Sequence, residues 1–204
     1  GFHSLLIADP LGSRPFDAQR RGLSLGEGAG ALVIESEAHA RARGAAVLAR
    51  VLGAGNTCDA HHATAPHPEG AGAEAAMRQA LAQARLEPAE VGYVNAHGTG
   101  TPDNDAAEGK ALARVFAGCL PPISSTKGGT GHTLGAAGAI ESVICILAIL
   151  RECLPPNIGC TTPDPALAFT PLREAAQVRV EAVMNNSFGF GGNNSSIIFG
   201  RWSK

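Results

Sequence analysis

The stretch Val91-Gly92-Tyr93-Val94-Asn95-Ala96-His97-Gly98-Thr99-Gly100-Thr101 passes from an apolar run into a turn rich in glycine and threonine. Residues 91–95 are predicted to form a strand, which puts His97 just beyond its C-terminal end. A second turn of this kind, Lys127-Gly128-Gly129-Thr130-Gly131-His132, follows a short predicted strand at residues 122–125. Glycine lets the backbone and a ligand approach closely, so two imidazoles and an ammonium on such turns indicate a reaction centre.

Strand-like and helix-like segments alternate around these two turns. The remaining strands are predicted at residues 29–34, where the strand is buried on both faces, and at 46–52, 178–185 and 195–199. Helices are predicted at residues 36–43, 74–86, 105–116 and 136–152, the last being the most apolar and therefore the central buried helix. The order βαβαβαβαββ predicts an α/β fold with a mixed, mainly parallel sheet and ligands outside the C-terminal strand ends.

Composition narrows the classes of function. With 204 residues, 45% apolar and 17% charged, the chain is expected to bury a sizeable core. The net charge of −2 and the lack of a dense cluster of lysine and arginine argue against a nucleic-acid partner. The longest apolar stretch, residues 139–150, is interrupted by Glu141 and Ser142 and is shorter than the about 20 residues that span a bilayer, so no membrane helix or membrane partner is expected. Five cysteines with no CxxC pair argue against a disulfide framework and indicate a reducing, cytoplasmic setting.

Three other patterns are weaker candidates for ligand sites. Residues 26–30 give GxGxG without the rest of a dinucleotide fingerprint, and residues 129–135 lack P-loop spacing, so neither predicts nucleotide binding. Close strand packing is the favoured interpretation of residues 26–30. The polar loop at residues 53–68 carries Cys58, His61, His62 and His67, whose spacing is poor for a metal, so a loop that lines a ligand is favoured and no metal is expected.

The chemistry of the two turns suits enolate formation at a thioester or carbonyl. Neutral imidazoles can donate N–H bonds to a developing oxyanion, and a nearby ammonium stabilises negative charge or keeps the imidazoles unprotonated. Asp105 and Glu108 are three residues apart on a predicted helix, so they share a face near His97. They are interpreted either as an ordinary solvated face or as a second layer behind Lys127.

Five motifs, in this order, resemble those of the β-ketoacyl-acyl-carrier-protein synthases, closest to the elongating type I/II condensing enzymes. They are Arg14-Pro15-Phe16-Asp17, Gly26-Glu27-Gly28-Ala29-Gly30, Asn95-Ala96-His97-Gly98-Thr99, Lys127-Gly128-Gly129-Thr130-Gly131-His132 and Asn186-Ser187-Phe188-Gly189-Phe190-Gly191-Gly192-Asn193. The resemblance runs nearly end to end. It implies a thiolase-like fold built from two similar halves, of which residues 1–204 are the C-terminal half.

The resemblance implies a decarboxylative Claisen condensation in fatty acid or polyketide-type chain elongation. An acyl group on an active-site cysteine is attacked by a carbanion equivalent from malonyl-acyl-carrier protein. His97 and His132 match the histidines that stabilise the thioester enolate and assist decarboxylation. Lys127 matches the lysine that supports them, with Glu108 as its acidic partner and Asp105 nearby.

Further residues match the family's ligand contacts. Phe190 matches a gating phenylalanine whose backbone N–H joins the oxyanion hole, with Phe188 beside it. Thr99 and Thr101 match threonines that bind the pantetheine amides, and Thr64 matches a threonine on the loop through which the acyl group enters. The resemblance implies a substrate carried on the phosphopantetheine of acyl carrier protein, no cofactor bound by this chain, and assembly with its own N-terminal half in a homodimer or a ketosynthase-like heterodimer.

The sequence also departs from the family pattern. The nucleophilic cysteine of a Thr-Ala-Cys-Ser type turn has no counterpart, because Cys145 lies in the apolar helix while Cys58 and Cys160 lie in loops without an adjacent base. The chain alone is therefore predicted to be inactive. The sequence opens with Gly1-Phe2-His3 and no initiator methionine, so we expect an upstream segment that carries the nucleophile. Leu23 replaces an aromatic residue that is common at its position.

Two other functions are weighed against this one. A non-catalytic partner of the chain-length-factor type would shape a tunnel in a heterodimer and would have little reason to keep the two histidines and the lysine. A degradative thiolase would carry a Cys-x-Gly turn where this chain has Gly189-Phe190-Gly191-Gly192, and phenylalanine cannot shuttle a proton.

Overall fold

The computed structural model describes residues 7–203, so the opening residues Gly1-Phe2-His3 lie outside the described part of the chain. The helices are α1 (Glu37–Ala42), α2 (Ala71–Ala84), α3 (Pro102–Val115), α4 (Lys127–Thr130) and α5 (Ala137–Arg151). The strands are β1 (Ala49–Cys58), β2 (Tyr93–Asn95), β3 (Ile123–Ser124), β4 (Cys153–Leu154), β5 (Ala176–Gln177), β6 (Ala182–Gly189) and β7 (Asn193–Arg201). Short 3₁₀ turns lie at Pro88–Glu90, Leu134–Ala136 and Phe190–Gly192.

Five strands form one mixed sheet in the order β1-β7-β6-β2-β3. Strand β6 pairs in parallel with β2, and β2 pairs in parallel with β3. Strand β7 is antiparallel to both of its neighbours, β1 and β6, so it alone runs against the other four. The prediction of a mixed, mainly parallel sheet is confirmed. Strands β6 and β7 form a hairpin around the turn Phe190–Gly192.

Apolar side chains alternate between the two faces of the sheet. Val94, Met184 and Ile198 belong to a core that they share with α2 and α3. Their neighbours Tyr93, Val183 and Phe199 belong to a second core, with Cys145 and Ile149 of α5. Because successive residues of a strand point to opposite faces, this period of two places helices on both sides of the sheet.

The predicted strand at residues 29–34 is wrong. The structure has no strand there, and Val33 and Ile34 are 84% and 77% exposed. Apolar character predicts burial, but it does not tell whether the covering element belongs to the same chain. The element order is therefore α1-β1-α2-β2-α3-β3-α4-α5-β4-β5-β6-β7 and not βαβαβαβαββ.

The four predicted helices are present, but several strands have other bounds than predicted. Strand β6 covers Ala182–Gly189 and not 178–185, and β7 covers Asn193–Arg201 and not 195–199. Strand β1 runs from Ala49 to Cys58, so the predicted strand at 46–52 is displaced, and residues 53–58 of the predicted loop at 53–68 belong to the strand. Gly53 and Gly55 suggested a loop, but they lie in β1 against α2. A Cβ at Gly55 would lie 2.1 Å from the carbonyl oxygen of Ala76, so glycine here serves close packing of strand and helix.

Helix α5 and the 3₁₀ turn before it form an apolar segment of 18 residues, Leu134–Arg151. By length and composition alone this segment could cross a membrane, although the sequence suggested that it was too short. Its inner face packs on β6 and β7, and it carries the buried Glu141, so we interpret it as a core helix of the domain. Leu147 and Leu150 on this helix are each 44% exposed, so the described part of the chain covers only one side of it.

Candidate active site

His97 and His132 meet at one edge of the sheet. Strands β2 and β3 are parallel neighbours, so their C-terminal ends lie side by side. His97 follows β2 by two residues, and Lys127, at the start of α4, follows β3 by three. The two imidazole rings lie edge to face, with centroids 5.3 Å apart. The strand order thus brings together two turns that are 35 residues apart in sequence, as the sequence predicted.

The backbone of His132 is held by the glycine-rich segment near the start of the chain. Its N–H donates to Ser24 O at 2.7 Å, and its carbonyl accepts from Gly26 N at 3.1 Å. A Cβ at Gly26 would lie 2.1 Å from Thr130 O, so only glycine permits this approach. Residues 26–30 therefore serve close backbone packing, although not as part of a strand.

Hydrogen bonding determines which nitrogen of His132 carries the proton. Its Nδ1 accepts from the backbone N–H of Leu134 at 3.2 Å, a residue held at a positive φ of 55°. The neutral ring must then be protonated at Nε2, which is free to act as a donor. The buried Nδ1 of His97 has no hydrogen-bond partner among the residues at 7–203.

Both imidazoles are neutral at neutral pH. Burial, followed by the charge of Lys127, lowers the pKa of His132 to about 4. Burial, Lys127 and His132 together hold the pKa of His97 well below its ordinary value. A neutral imidazole keeps one N–H group, so each ring can donate one hydrogen bond to an oxyanion.

Lys127 is buried behind the two rings, and its acidic partner differs from the expected one. The ammonium donates to the carbonyl oxygen of His97 at 2.6 Å and forms an ion pair with Glu141 of α5. The sequence interpretation gave this role to Glu108. Burial raises the pKa of Glu141, and contact with the ammonium opposes that rise. A carboxylate inside the most apolar helix was the signal that identifies Glu141, because buried charges are almost always paired.

Glu108 instead shapes the turn that carries His97. Its two carboxylate oxygens accept from the backbone N–H groups of His97 and Gly98, each at 2.8 Å. Burial raises the pKa of Glu108 to about 7, and these two hydrogen bonds oppose the rise. Asp105 accepts from the backbone N–H groups of Phe16 and Gly100, at 2.8 and 3.2 Å. Both carboxylates are buried, so they form a layer behind the turn and not a solvated face.

In front of the histidines lies an open cavity of about 900 Å³. It brings together the predicted ligand contacts Thr64, Thr99, Thr101, Phe188 and Phe190, together with both histidines. The ring of Phe188 lies 5.8 Å from that of His97, the hydroxyls of Thr99 and Thr101 are 2.8 Å apart, and Phe190 is 46% exposed on its turn. Lys127, Glu108 and Asp105 lie behind the wall and do not line it. Arg21, Asp59 and Leu134 also line the cavity, and the sequence interpretation did not single them out.

The histidine-rich loop after β1 forms part of the cavity wall. Asp59, Thr64, Ala65 and Pro66 line the cavity. His62 is turned to the loop itself, where its Nδ1 accepts from Thr64 N and Ala65 N at 3.1 and 3.2 Å. Across residues 7–203, no three side chains of histidine, cysteine, aspartate or glutamate gather into a group that could hold a metal ion.

The five cysteines are free thiols, all within the described range, and the cavity wall contains none of them. Burial holds the pKa of Cys145 well above its ordinary value and, as the main influence, raises that of Cys160 to about 11. Cys58 is exposed at the end of β1, with its Sγ 3.5 Å from Gly191 O. Cys145 and Cys160 are thus held as protonated thiols, which are poor nucleophiles.

Comparison with known proteins agrees with this geometry. The profile of the β-ketoacyl synthase C-terminal domain matches residues 48–161, which include His97, Lys127 and His132. A mitochondrial 3-oxoacyl-(acyl-carrier-protein) synthase of Arabidopsis thaliana is 47% identical over 194 residues, which cover 92% of this chain and 42% of that protein.

Two solved structures have the same fold. The ishigamide ketosynthase/chain length factor superposes with a TM-score of 0.95 at 40% identity, over 99% of this chain and 50% of that one. The AntDE:AntF complex, a type II polyketide acyl-carrier protein with its ketosynthase, gives 0.93 at 32% identity, over 99% and 52%. The chain thus spans about half the length of its relatives and has their thiolase-like α/β fold. This chain belongs to the β-ketoacyl synthase family, as a C-terminal domain of that family.

Proposed function

We propose that this chain supplies the two histidines and the lysine of a β-ketoacyl-acyl-carrier-protein synthase, which condenses an acyl thioester with malonyl-acyl-carrier protein. One observation carries the proposal. Two neutral imidazoles lie 5.3 Å apart at the wall of one cavity, with a buried ammonium behind them. This arrangement suits stabilisation of one developing oxyanion.

The chemistry assigned to these residues starts with loss of carbon dioxide from the malonyl thioester. The electron pair of the broken C–C bond is delocalised onto the thioester oxygen, and His97 and His132 donate hydrogen bonds to that oxygen. The enolate carbon then attacks the carbonyl of the second acyl thioester, and its thiolate leaves. Lys127 lies behind the two rings. Burial and the positive charge of Lys127 lower the pKa of both rings and keep them neutral.

The cavity wall is assigned to the substrate's carrier arm. We propose that Thr99 and Thr101 hydrogen-bond the pantetheine amides, with Thr64 on the loop through which the acyl group enters. Phe190, half exposed on a turn that contains two glycines with positive φ, is assigned the gate, with its backbone N–H in the oxyanion hole. The ring of Phe188 packs beside the ring of His97.

The chain is proposed to work together with its own N-terminal half, which carries the nucleophilic cysteine. The apolar side chains left uncovered by this chain support such an arrangement: Val33 and Ile34 next to the glycine-rich segment, and Leu147 and Leu150 on α5. We further propose acyl carrier protein as substrate carrier, a homodimer or ketosynthase-like heterodimer, and a cytoplasmic location. No cofactor or metal is assigned to this chain.

The test is malonyl decarboxylation by the full-length protein that contains this chain. Removing one preorganised donor costs about 10² to 10³ in rate, so His97→Ala and His132→Ala are each expected to lower the rate constant by that factor. The control is His39→Ala, because His39 is exposed on α1. Undiminished decarboxylation in both active-site variants would refute the assignment.

A second candidate is the non-catalytic chain-length-factor role, because one of the similar structures contains a chain length factor beside its ketosynthase. The synthase and the chain-length-factor role differ in whether the proposed N-terminal half carries the nucleophilic cysteine. A cysteine at the helix-head turn supports the synthase, and its absence supports the partner role.

A further inference from the structure

Two adjacent arginines precede Gly22, and they have different surroundings. Arg20 is bound within the protein, with Nη1 donating to Asp17 O at 2.9 Å and to Asp164 Oδ2 at 2.6 Å. Arg21 is exposed, lines the cavity that holds the two histidines, and makes no side-chain hydrogen bond or ion pair within residues 7–203. Arg20 is therefore structural, whereas the guanidinium of Arg21 is available to a ligand.

The segment that contains Arg21 packs against the turn that carries Thr99 and Thr101. On one side, Arg20 Nη2 reaches Pro102 O at 3.5 Å. On the other, Gly22 O lies so close that a Cβ at Gly100 would come within 2.8 Å of it. Arg21 is thus held next to the two threonines in the cavity wall.

Arg21 carries the one fixed positive charge among the described residues of this wall. Both histidines are neutral, and Lys127 is buried against Glu141. The two acidic residues of the wall each have a stabilising partner within the protein. Asp59 accepts hydrogen bonds from Asn194 Nδ2 and His67 N, each at 2.9 Å. Asp103 lies in the first turn of α3. A helix N-terminus stabilises the negative charge of Asp103.

We propose that Arg21 binds the phosphate of the phosphopantetheine arm on which the substrate is carried. The inference rests on the proposed function, which places the thioester at the histidines and the arm's amides at Thr99 and Thr101. A guanidinium pairs with phosphate through two parallel hydrogen bonds, which suits the charged end of an otherwise neutral arm. Because the phosphate is remote from the reacting carbon, the contact is equally strong in the ground state and the transition state, and it affects KM and not kcat.

The test uses the full-length protein and two substrates that differ only in the phosphate, malonyl-phosphopantetheine and malonyl-pantetheine. Arg21→Gln is expected to raise KM for the phosphorylated substrate by at least about tenfold, because it removes the charged partner of the phosphate, with kcat unchanged. KM for malonyl-pantetheine is expected to stay the same. The matched control is Arg179→Gln, because Arg179 is an arginine that does not line the cavity and pairs with Glu181.

Two results would overturn the proposal. One is an equal change, or no change, in KM for both substrates. The other is a change only when the malonyl group is carried on acyl carrier protein, which would assign Arg21 to docking of that protein. If the wild-type protein decarboxylates neither of these substrates nor malonyl-acyl-carrier protein, the proposed function fails. Calorimetric titration with phosphopantetheine and pantetheine then tests Arg21 by itself: Arg21→Gln must abolish the preference for the phosphorylated ligand.

Discussion

Lys127 and Glu141 form a buried ion pair at the residue scale, and the electrostatics of both histidines depends on it. The ammonium is fully buried, as is all but a small part of the carboxylate. Taking a charge out of water is costly unless a partner compensates it, so each member stabilises the other. Since Lys127 lies behind the cavity wall, its effect on the reaction is transmitted through the pKa values of the rings.

Replacing one member of this ion pair is expected to lower the free energy of unfolding much more than replacing both members. Lys127→Met should lower the free energy of unfolding by about 3–5 kcal/mol, because it leaves Glu141 buried without a partner. The double variant Lys127→Met/Glu141→Leu should recover most of that loss. Urea unfolding of the full-length protein measures both.

The control for this comparison is the exposed pair Lys110 and Glu69, with a separation of 2.7 Å. Lys110→Met is expected to cost less than about 1 kcal/mol, since water screens an exposed pair. Equal losses for Lys127→Met and Lys110→Met would contradict the role assigned to burial.

His132 is expected to stay neutral well below the pH at which an ordinary histidine titrates. Its pKa falls from 6.5 to about 4 on folding, so the folded state binds fewer protons than the unfolded state in this range. Its contribution to stability is therefore complete above pH 6.5 and is lost as the pH falls toward 4. Nitrogen-15 NMR of labelled histidine should show a neutral ring at pH 5.5, protonated at Nε2.

The same NMR measurement on Lys127→Met provides the internal comparison. Removing the ammonium should move the protonation midpoint of His132 upward, because Lys127 is the second cause of the depressed pKa after burial. A wild-type midpoint near 6.5 would contradict the burial of this ring.

The sequence identified both histidines, the two threonines and Lys127 as site residues, but the acidic partner predicted for Lys127 was wrong. His97, His132, Thr99 and Thr101 stand beside glycines, and such turns are visible in a sequence. The partner of Lys127 depends on which helix faces the ammonium, and α5 does so while Glu108 of α3 turns to the backbone of His97. The packing of the helices therefore decides which carboxylate pairs with Lys127.

At the scale of elements, residues 24–26 pair with the backbone of the turn that carries His132. Leu25 and His132 form an isolated parallel bridge, and two backbone hydrogen bonds flank it. The position of His132 therefore depends on a segment that is more than 100 residues away in sequence. Long-range backbone pairing of this kind leaves no periodic signal in the sequence.

Gly26→Ala is expected to disturb this contact, since its Cβ would lie 2.1 Å from a backbone oxygen. We expect a loss of stability of about 1–3 kcal/mol, in the range of overpacked sites. The matched control is Gly135→Ala, because a Cβ at Gly135 meets no atom within 4 Å and alanine favours the helical turn there. Thermal unfolding of the two full-length variants distinguishes them, and equal melting temperatures would contradict the prediction.

At the scale of the whole molecule, the described chain leaves apolar side chains without cover. Val33 and Ile34 are 84% and 77% exposed, and the outer side of α5 is open. Such surfaces in a soluble domain mark a contact with another element. The proposed N-terminal half accounts for them.

The proposed packing predicts which of two exposed valines is more costly to replace by lysine, and the prediction is the opposite of what their exposure in this chain suggests. Val33 is 84% exposed and Val51, on the outer strand β1, is 49% exposed. In the full-length protein, Val33→Lys is nevertheless expected to cost about 3 kcal/mol, and Val51→Lys within about 0.5 kcal/mol, because only Val33 is buried by the N-terminal half. Chemical denaturation checks this, and a neutral Val33→Lys would contradict the proposed packing.

The sequence by itself determined the α/β class, the positions of the helices, and the two turns that carry His97 and His132. These are local properties, because periodicity, turn chemistry and the residues beside a glycine are all written within a few positions of one another. Only the tertiary structure decided that residues 29–34 form no strand, that Glu141 is the partner of Lys127, and that Arg21 stands free in the cavity wall. Each of these depends on which distant segment lies alongside, and that is decided by the burial of side chains and the pairing of charges across the whole fold.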